Sequence, residues 1–314
     1  MQSTQSVLMI RPVSFRMNEE TAENNHYQSE MVDSSAEEIL DLAQNEFDAL
    51  VEALTSKGVR VLVIDESSDH ITPDALFPNN WISTHADGKI GLYPMFAKNR
   101  RLERREDILL DLEHLHGYSV QDVLDFSEFE EHQKFLEGTG SLVLDRNHGK
   151  AYAALSPRTD RGALGHFCSE FEMEGIAFTA LQSVNGERVP IYHTNVMMSI
   201  GTKFVAICLD SIDDLEERQM VVDSLKEDGL QIIALTEDQI NHFAGNMLEL
   251  RGSDGPIIAM SSAAFRALTD EQKNELKPFG ELVHVNLSTI ETCGGGSARC
   301  MIAEIHLPKE VATH

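Results

Sequence analysis

The sequence predicts an α/β fold built from repeated ββαβ modules, and three observations lead there. An amphipathic helix followed by an apolar strand recurs along the chain, a glycine-containing hairpin recurs between those units, and the composition is that of a folded protein. Hydrophobic residues make up 42% and charged residues 25% of 314 residues, without the apolar depletion that keeps a chain disordered. That length suits one large domain or two average ones.

The elements follow in order. "SAEEILDLAQNEFDALVEALTS" places Ile39, Leu42, Ala43, Phe47, Leu50, Val51 and Leu54 at helical spacing, with Ser34 or Ser35 as N-cap and Gly58 as the stop. "VRVLVID" then reads as a short buried strand. "NWISTHADGKIGLYP" is an apolar run, a glycine turn and a second apolar run, the composition of a tight hairpin. "KNRRLERREDILLDL" interleaves arginines with acids, which predicts a solvated, salt-bridged helix face. "LEHLHGYSVQDVLDFSEFEEHQKF" reads as helix, strand and loop. "GSLVLDRNHGKAYAALS", "NVMMSIGTKFVAICLD" and "NMLELRGSDGPIIAMS" repeat the hairpin. Between and after them, "LEERQMVVDSLKEDG" precedes the strand "LQIIALT", and "LTDEQKNELKPFG" precedes "ELVHVNL". Joining "GSARCMIAEIHLP" to the N-terminal "VLMIRPVSF" gives a fifth hairpin. Copies roughly every 50 to 60 residues predict one closed array spanning residues 1–314 as a single domain. Their irregular period leaves a generic α/β domain with several hairpins as the alternative.

The formal charge of −27, from 25 basic and 52 acidic residues, would repel a phosphate backbone, which argues against nucleic-acid partners. No window approaches the ~18 to 20 apolar residues of a membrane span, and "MQSTQSVLMIRPVSF" lacks the pattern of a leader, so a cytoplasmic protein without a membrane partner is expected. Cys168, Cys208, Cys293 and Cys300 include no CxxC pair. Zinc or structural disulfides are therefore not expected.

"ETCGGGSARCM" carries the strongest chemical signal. Three consecutive glycines cost conformational entropy and add nothing to a core, so they suggest backbone close to a ligand or a sharp bend. Cys300 just beyond them is a candidate nucleophile, with Cys293 competing for the role. His193 in "IYHTNVMM", Glu137 in "FLEGTGSLV" and the pair Asn79 and Asn80 in "ALFPNNWIST" all precede hairpins. Each alone could be a satisfied structural group. If the hairpins surround an axis, however, these leading edges converge on one pocket.

Glu137 in "LEGTGSLVL", His193 in "YHTNVMM" and Cys300 in "GGGSARCM" resemble, in order along nearly the whole chain, the guanidino-group-modifying superfamily of deiminases, dimethylarginine hydrolases and amidinotransferases. The resemblance implies a five-bladed α/β propeller, the pentein, with ββαβ modules around a pseudo-fivefold axis. "IRPVSFRMNEETAENNHYQ" and "TPDALFPNNW" look more like the citrulline-utilisation hydrolase branch. It further implies a Cys300–His193–Glu137 mechanism with no cofactor and no metal, and Arg158 in "LSPRTD" as the holder of a substrate carboxylate. Arg299 and Arg11 are weaker candidates for that fork, and Phe77 joins the substrate-binding set. Deiminases have aspartates where this chain has Asn80 and Asn195. Asparagine is neutral and offers both donor and acceptor, so the substitution predicts a neutral ureido group, citrulline, rather than a guanidinium cation. Either Asn79 or Asn80 could face the pocket. Arginine or a substituted arginine is the alternative substrate, a non-catalytic binding protein the third reading, and a homo-oligomer is allowed.

Overall fold

A computed structural model describes residues 1–67 and 69–309. Five three-stranded sheets share one plan: two antiparallel strands, then a helix, then a third strand parallel to the second. The first sheet pairs Ala303–Glu304 with Ser6–Arg11, and Arg60–Asp65 follows the helix Ala36–Ser56. The second joins Ile82–Thr84, Lys89–Leu92 and, after the helix Glu106–His114, Asp122–Asp125. The third joins Val143–Asp145, Lys150–Ala154 and Glu174–Phe178 around the helix Arg161–Glu170. Met198–Ile200, Phe204–Ile207 and Gln231–Ala234 form the fourth, with the helix Leu215–Glu227. Leu248–Arg251, Pro256–Ser261 and Glu281–Val285 form the fifth. A separate hairpin, Leu181–Val184 with Glu187–Pro190, stands between the third and fourth. Every predicted hairpin and helix–strand unit is present, including the one that joins the two ends of the chain.

Burial sorts the strands by position. The short first strands Ile82–Thr84, Val143–Asp145 and Met198–Ile200 are buried at every residue, because they have structure on both faces. The third strands lie outermost and alternate in exposure. Arg60–Asp65, expected to be buried, is one of these: Val63 is 42% exposed. Its apolar run spans one packed face and one open face, which composition alone does not separate.

The helix Ala36–Ser56 shows how local sequence builds toward the functional end. Ser35 and Glu38 close a capping box, each side chain accepting from the other's backbone N–H. Ile39, Ala43, Phe47, Leu50 and Leu54 form its buried stripe. Leu42 points outward at 44% exposure, a departure from the predicted face. Glu46 also sits on the buried side, and its carboxylate accepts the backbone N–H groups of Thr289 and Ile290 at the start of the helix Ser288–Gly294. That bond fixes the segment leading into the glycine run. No helix among the described residues is long and apolar enough to cross a membrane.

Phe47 is fully buried in this stripe, so Phe47→Ala is expected to lower unfolding stability by about 3 to 5 kcal/mol. Leu42→Ala should change it by no more than about 0.5 kcal/mol. Urea unfolding of both variants checks which face of the helix carries the core.

Candidate active site

The segments that lead into the first strands hold each other edge to edge. Thr139 Oγ1 donates to the Asn79 carbonyl at 3.3 Å, linking the third module to the second. Thr194 Oγ1 donates to the Ser141 carbonyl at 2.6 Å, linking fourth to third. Asn246 Nδ2 donates to the Asn195 carbonyl at 3.0 Å, and Asn246 Oδ1 accepts the Arg299 N–H at 3.0 Å, linking fourth, fifth and first. At the opposite ends of their strands, Thr84 Oγ1 donates to the Glu304 carbonyl at 3.0 Å, linking second to first. Close approach is built in with glycine. A Cβ on Gly138, whose φ is +46°, would fall 2.3 Å from the Asn79 carbonyl oxygen, and one on Gly140 would fall 2.7 Å from His193 Nδ1.

These edges bring Cys300, His193, Asn80, Phe77 and Arg158 onto one cavity, together with Asn25, Asp74, Arg100 and Tyr192. Its volume is about 10 Å³, room for a single water. Cys300 is 3% exposed, with Asn246 Nδ2 at 3.2 Å and Asn195 Nδ2 at 3.4 Å from its sulfur. Cys293 is fully buried in the helix Ser288–Gly294 and does not line the cavity. Burial pushes its thiol up, and that of Cys168 to about 11. The glycine run also has a packing function: side chains on Gly294 or Gly296 would collide with the ring of Phe77.

Glu137, fully buried, accepts from His193 Nε2 at 2.7 Å and from the Phe96 N–H at 2.9 Å, and Arg158 lies at 3.5 Å. Burial alone would raise this carboxyl, but the Arg158 guanidinium, the His193 bond and Arg100 bring it down to about 2. Burial is also the main influence on His193 and lowers it to about 4, against the pull of Glu137. A neutral imidazole that donates from Nε2 to a carboxylate keeps Nδ1 as its basic nitrogen. The pair is thus prepared to accept a proton.

The predicted carboxylate-binding arginines separate. Arg158 lines the cavity, but its Nε donates to Asn24 Oδ1 at 2.7 Å, its Nη2 to the Thr21 carbonyl at 2.9 Å, and its guanidinium stacks on Tyr192. Arg299 is not brought to the cavity: it bonds Glu304 Oε2 at 2.9 Å and the Ile302 carbonyl. Arg11 pairs with Asp48 on the outer surface. Each is captured by a carboxylate, Arg11 by Asp48 on the helix Ala36–Ser56 and Arg299 by the buried Glu304.

Asn80 faces the cavity, whereas Asn79 lies behind it, accepting from Asn80 Nδ2 at 3.0 Å and leaving its own Nδ2 without a partner among the described residues. Asn80 Oδ1 accepts from Arg100 Nη1 at 2.8 Å. Arg100 corrects the reading of "KNRRLERRED" as a solvated face. It is 2% exposed, forked onto Glu103 by two bonds of 2.9 Å, because Asn99–Glu103 forms a 3₁₀ turn that directs it inward. Sequence reasoning also missed Asn246 and Asp74. Asn246 opens a quoted hairpin copy, so its matching edge position was the available signal. Asp74 accepts from Asn18 and Thr21 through Oδ2, and its Oδ1 has no partner among the described residues.

The fold and the gathered Cys, His and Glu define a guanidino-modifying type of site. The chain belongs to the N,N-dimethylarginine dimethylhydrolase family, whose eukaryotic family model matches residues 11–307. Among solved structures it is similar to the substrate-bound N-terminal domain of ArgZ, an arginine dihydrolase from Cyanobacteria, at 15% identity and TM-score 0.70 over 96% of this chain and 98% of that one. It is similar to AgrE with ornithine and NAD+, at 18% identity and TM-score 0.72, covering 98% of this chain and 40% of that one. The dimethylarginine hydrolase of Pseudomonas aeruginosa, a Cys-to-Ser mutant complexed with citrulline, gives 13% identity and TM-score 0.66 over 97% and 100%. No curated protein sequence matches the chain.

Between about pH 4 and 6.5 an unfolded chain protonates His193 while the folded protein leaves it neutral, so stability falls as pH drops through that window. His193→Gln is expected to flatten the fall. Urea midpoints measured across the window check it; an unchanged slope would contradict a neutral buried imidazole.

Proposed function

We propose that this protein is a cysteine hydrolase of a ureido amino acid, with citrulline converted to ornithine, carbon dioxide and ammonia on a single five-bladed propeller domain. The observation that carries the substrate reading is the ring of neutral amides. Asn195 and Asn246 contact the Cys300 sulfur, and Asn80 lines the same cavity with Arg100 bonded behind it. A buried guanidinium at that point opposes a second cation, whereas a ureido carbonyl and its N–H groups match amides without an uncompensated charge.

In the proposed sequence, neutral His193 takes the Cys300 proton as the sulfur attacks the ureido carbon. The imidazolium, stabilised by Glu137, returns that proton to the nitrogen of the departing ornithine, and the C–N bond breaks to leave carbamoyl-Cys300. His193 then accepts a proton from the water that attacks the carbamoyl carbon. The C–S bond breaks, the thiolate recovers its proton, and carbamate decomposes to carbon dioxide and ammonia. The unpartnered Asp74 Oδ1 is placed to accept from the substrate's ammonium group. Arg158 orients Glu137 through charge, and its remaining N–H capacity is the one toward a substrate carboxylate. The second reading, hydrolysis of arginine or dimethylarginine, is favoured by the family match.

Incubation with citrulline, arginine and dimethylarginine, with ornithine, citrulline and ammonia quantified, separates the two. Ornithine and ammonia from citrulline are expected; citrulline released from arginine or dimethylarginine, with no ornithine from citrulline, overturns the substrate assignment. Cys300→Ala should lower turnover by at least about 10³-fold. Asn80→Asp should lower kcat/KM for citrulline at least about tenfold, because a carboxylate there pairs with Arg100 and loses the amide N–H donors; unchanged kinetics would remove Asn80 from the reading of substrate.

A further inference from the structure

Asn246 differs from the other amides at the site because its orientation is fixed. It is fully buried at the start of the fifth module, just ahead of the strand Leu248–Arg251. Its Oδ1 accepts the backbone N–H of Arg299 at 3.0 Å, and its Nδ2 donates to the Asn195 carbonyl at 3.0 Å and to Cys300 Sγ at 3.2 Å. A backbone N–H can only donate and a carbonyl can only accept, so turning the amide over would break both bonds. The N–H aimed at the sulfur therefore stays a donor. Asn195 is held differently. Among the described residues its side-chain amide has the same sulfur as its partner and no other, with Nδ2 at 3.4 Å and Oδ1 at 3.8 Å. That amide can turn either group to the sulfur.

The backbone is bent to bring Asn246 to this place. Its N–H donates to the Phe243 carbonyl at 2.8 Å, and Phe243 has a φ of +63°, a left-handed conformation uncommon for a bulky residue. Gly245 approaches the fourth module so closely that a Cβ there would meet the Val196 carbonyl oxygen. Strained backbone persists where the surrounding contacts over-determine it. The contacts secured here are the three bonds of the Asn246 side chain. A neutral thiol is a weak acceptor and a thiolate a strong one, so a fixed N–H favours the charged form of the sulfur. Among the described residues no cationic side chain hydrogen-bonds Cys300 Sγ, and both of its side-chain partners are amides.

We propose that Asn246 is a further catalytic residue, a locked donor that stabilises the Cys300 thiolate, whereas Asn195 adapts to whichever form the sulfur takes. The inference rests on Cys300 as the nucleophile and not on the choice of substrate. Charge reaches the sulfur twice in that sequence: when its proton passes to His193, and when the C–S bond breaks and its electron pair returns to sulfur. The same N–H meets it both times. Thiolate formation is read without substrate from the absorbance at about 240 nm, taking each variant minus the same variant with Cys300→Ser, over about pH 5 to 10. Asn246→Ala removes the donor without adding charge and should raise the pH midpoint by at least about one unit, an about tenfold loss of thiolate below it. Asn246→Asp keeps an acceptor for the Arg299 N–H and puts an anion beside the sulfur, so the rise should be larger. Thr139→Val breaks a comparable bond between modules away from the sulfur; it should lower the urea midpoint and leave the thiolate midpoint in place. His193, Tyr192, Asp74, Arg100 and Arg158, the ionisable groups on the same cavity, are kept in all three. An unmoved midpoint in both Asn246 variants, or an equal rise in Thr139→Val, overturns the proposal. Full turnover by Cys300→Ala would instead overturn the nucleophile, so the two failures are distinct.

Discussion

The set of hydrogen bonds between neighbouring modules is the constraint on which the rest of the structure depends. Each inner strand is short, and its first residues would otherwise be free to bend. Thr139, Thr194 and Asn246 fasten these ends to one another across module boundaries, and Thr84 ties the far end of its strand to Glu304. Buried side-chain bonds to backbone carbonyls both satisfy those carbonyls and fix distances between segments far apart in the chain. Glycine makes the spacing possible. Any side chain at Gly138 would push against Asn79, and one at Gly245 would fall 2.2 Å from the Val196 carbonyl oxygen. The site is therefore a by-product of how the modules close, and its residues occupy equivalent places in successive modules.

Packing of the edges concentrates charge in a buried region. Glu137 stands between His193 and Arg158, and Arg100 is forked onto Glu103 with the Asp74 carboxylate 3.8 Å away. Buried charges survive only with partners, since removing one partner leaves the other uncompensated. Here the pairing also sets protonation. Glu137 stays ionised and holds the imidazole in one tautomer, while burial keeps that imidazole neutral and able to act as a base. Around the sulfur itself the polar groups are amides, which need no counter-charge and can face a neutral reactant.

Much of this was legible in the sequence because the modules repeat. Glu137, His193 and Cys300 are chemically distinctive residues at matching edges, so repetition singled them out. Asn246 occupies the same place but is a neutral amide, and nothing about its type separates it from a turn residue until the sulfur is seen beside it. Arg100 was hidden for a different reason. In a run of alternating charges the direction of one arginine depends on local backbone geometry, and the 3₁₀ turn Asn99–Glu103 reverses the expected exposure. Arg11 and Arg299 fail in the opposite sense: an arginine near a functional motif is no guide to where a long side chain ends. The misplaced faces of Leu42 and of Arg60–Asp65 share that cause, since an apolar residue reports the probability of burial and not its direction.

The smallness of the cavity beside Cys300 bears on what it can bind. At about 10 Å³ it cannot hold an amino acid, so any such ligand must displace protein. The segment from Asn18 to Gln28 packs against the cavity. Asn24 and the Thr21 carbonyl occupy Arg158, Asn18 and the Thr21 hydroxyl occupy Asp74, and Asn25 and Gln28 bond the carbonyls of the glycine run. These are the donors and acceptors on which a ligand with a carboxylate and an ammonium group would also draw. The segment thus satisfies much of Arg158 and one oxygen of Asp74, and a ligand that replaces those bonds gains only the difference between its own bonds and the ones it replaces. Recognition at this site is an exchange of partners, and a ligand unable to reproduce the bonds of Asn18, Thr21 and Asn24 leaves a buried charge unpaired.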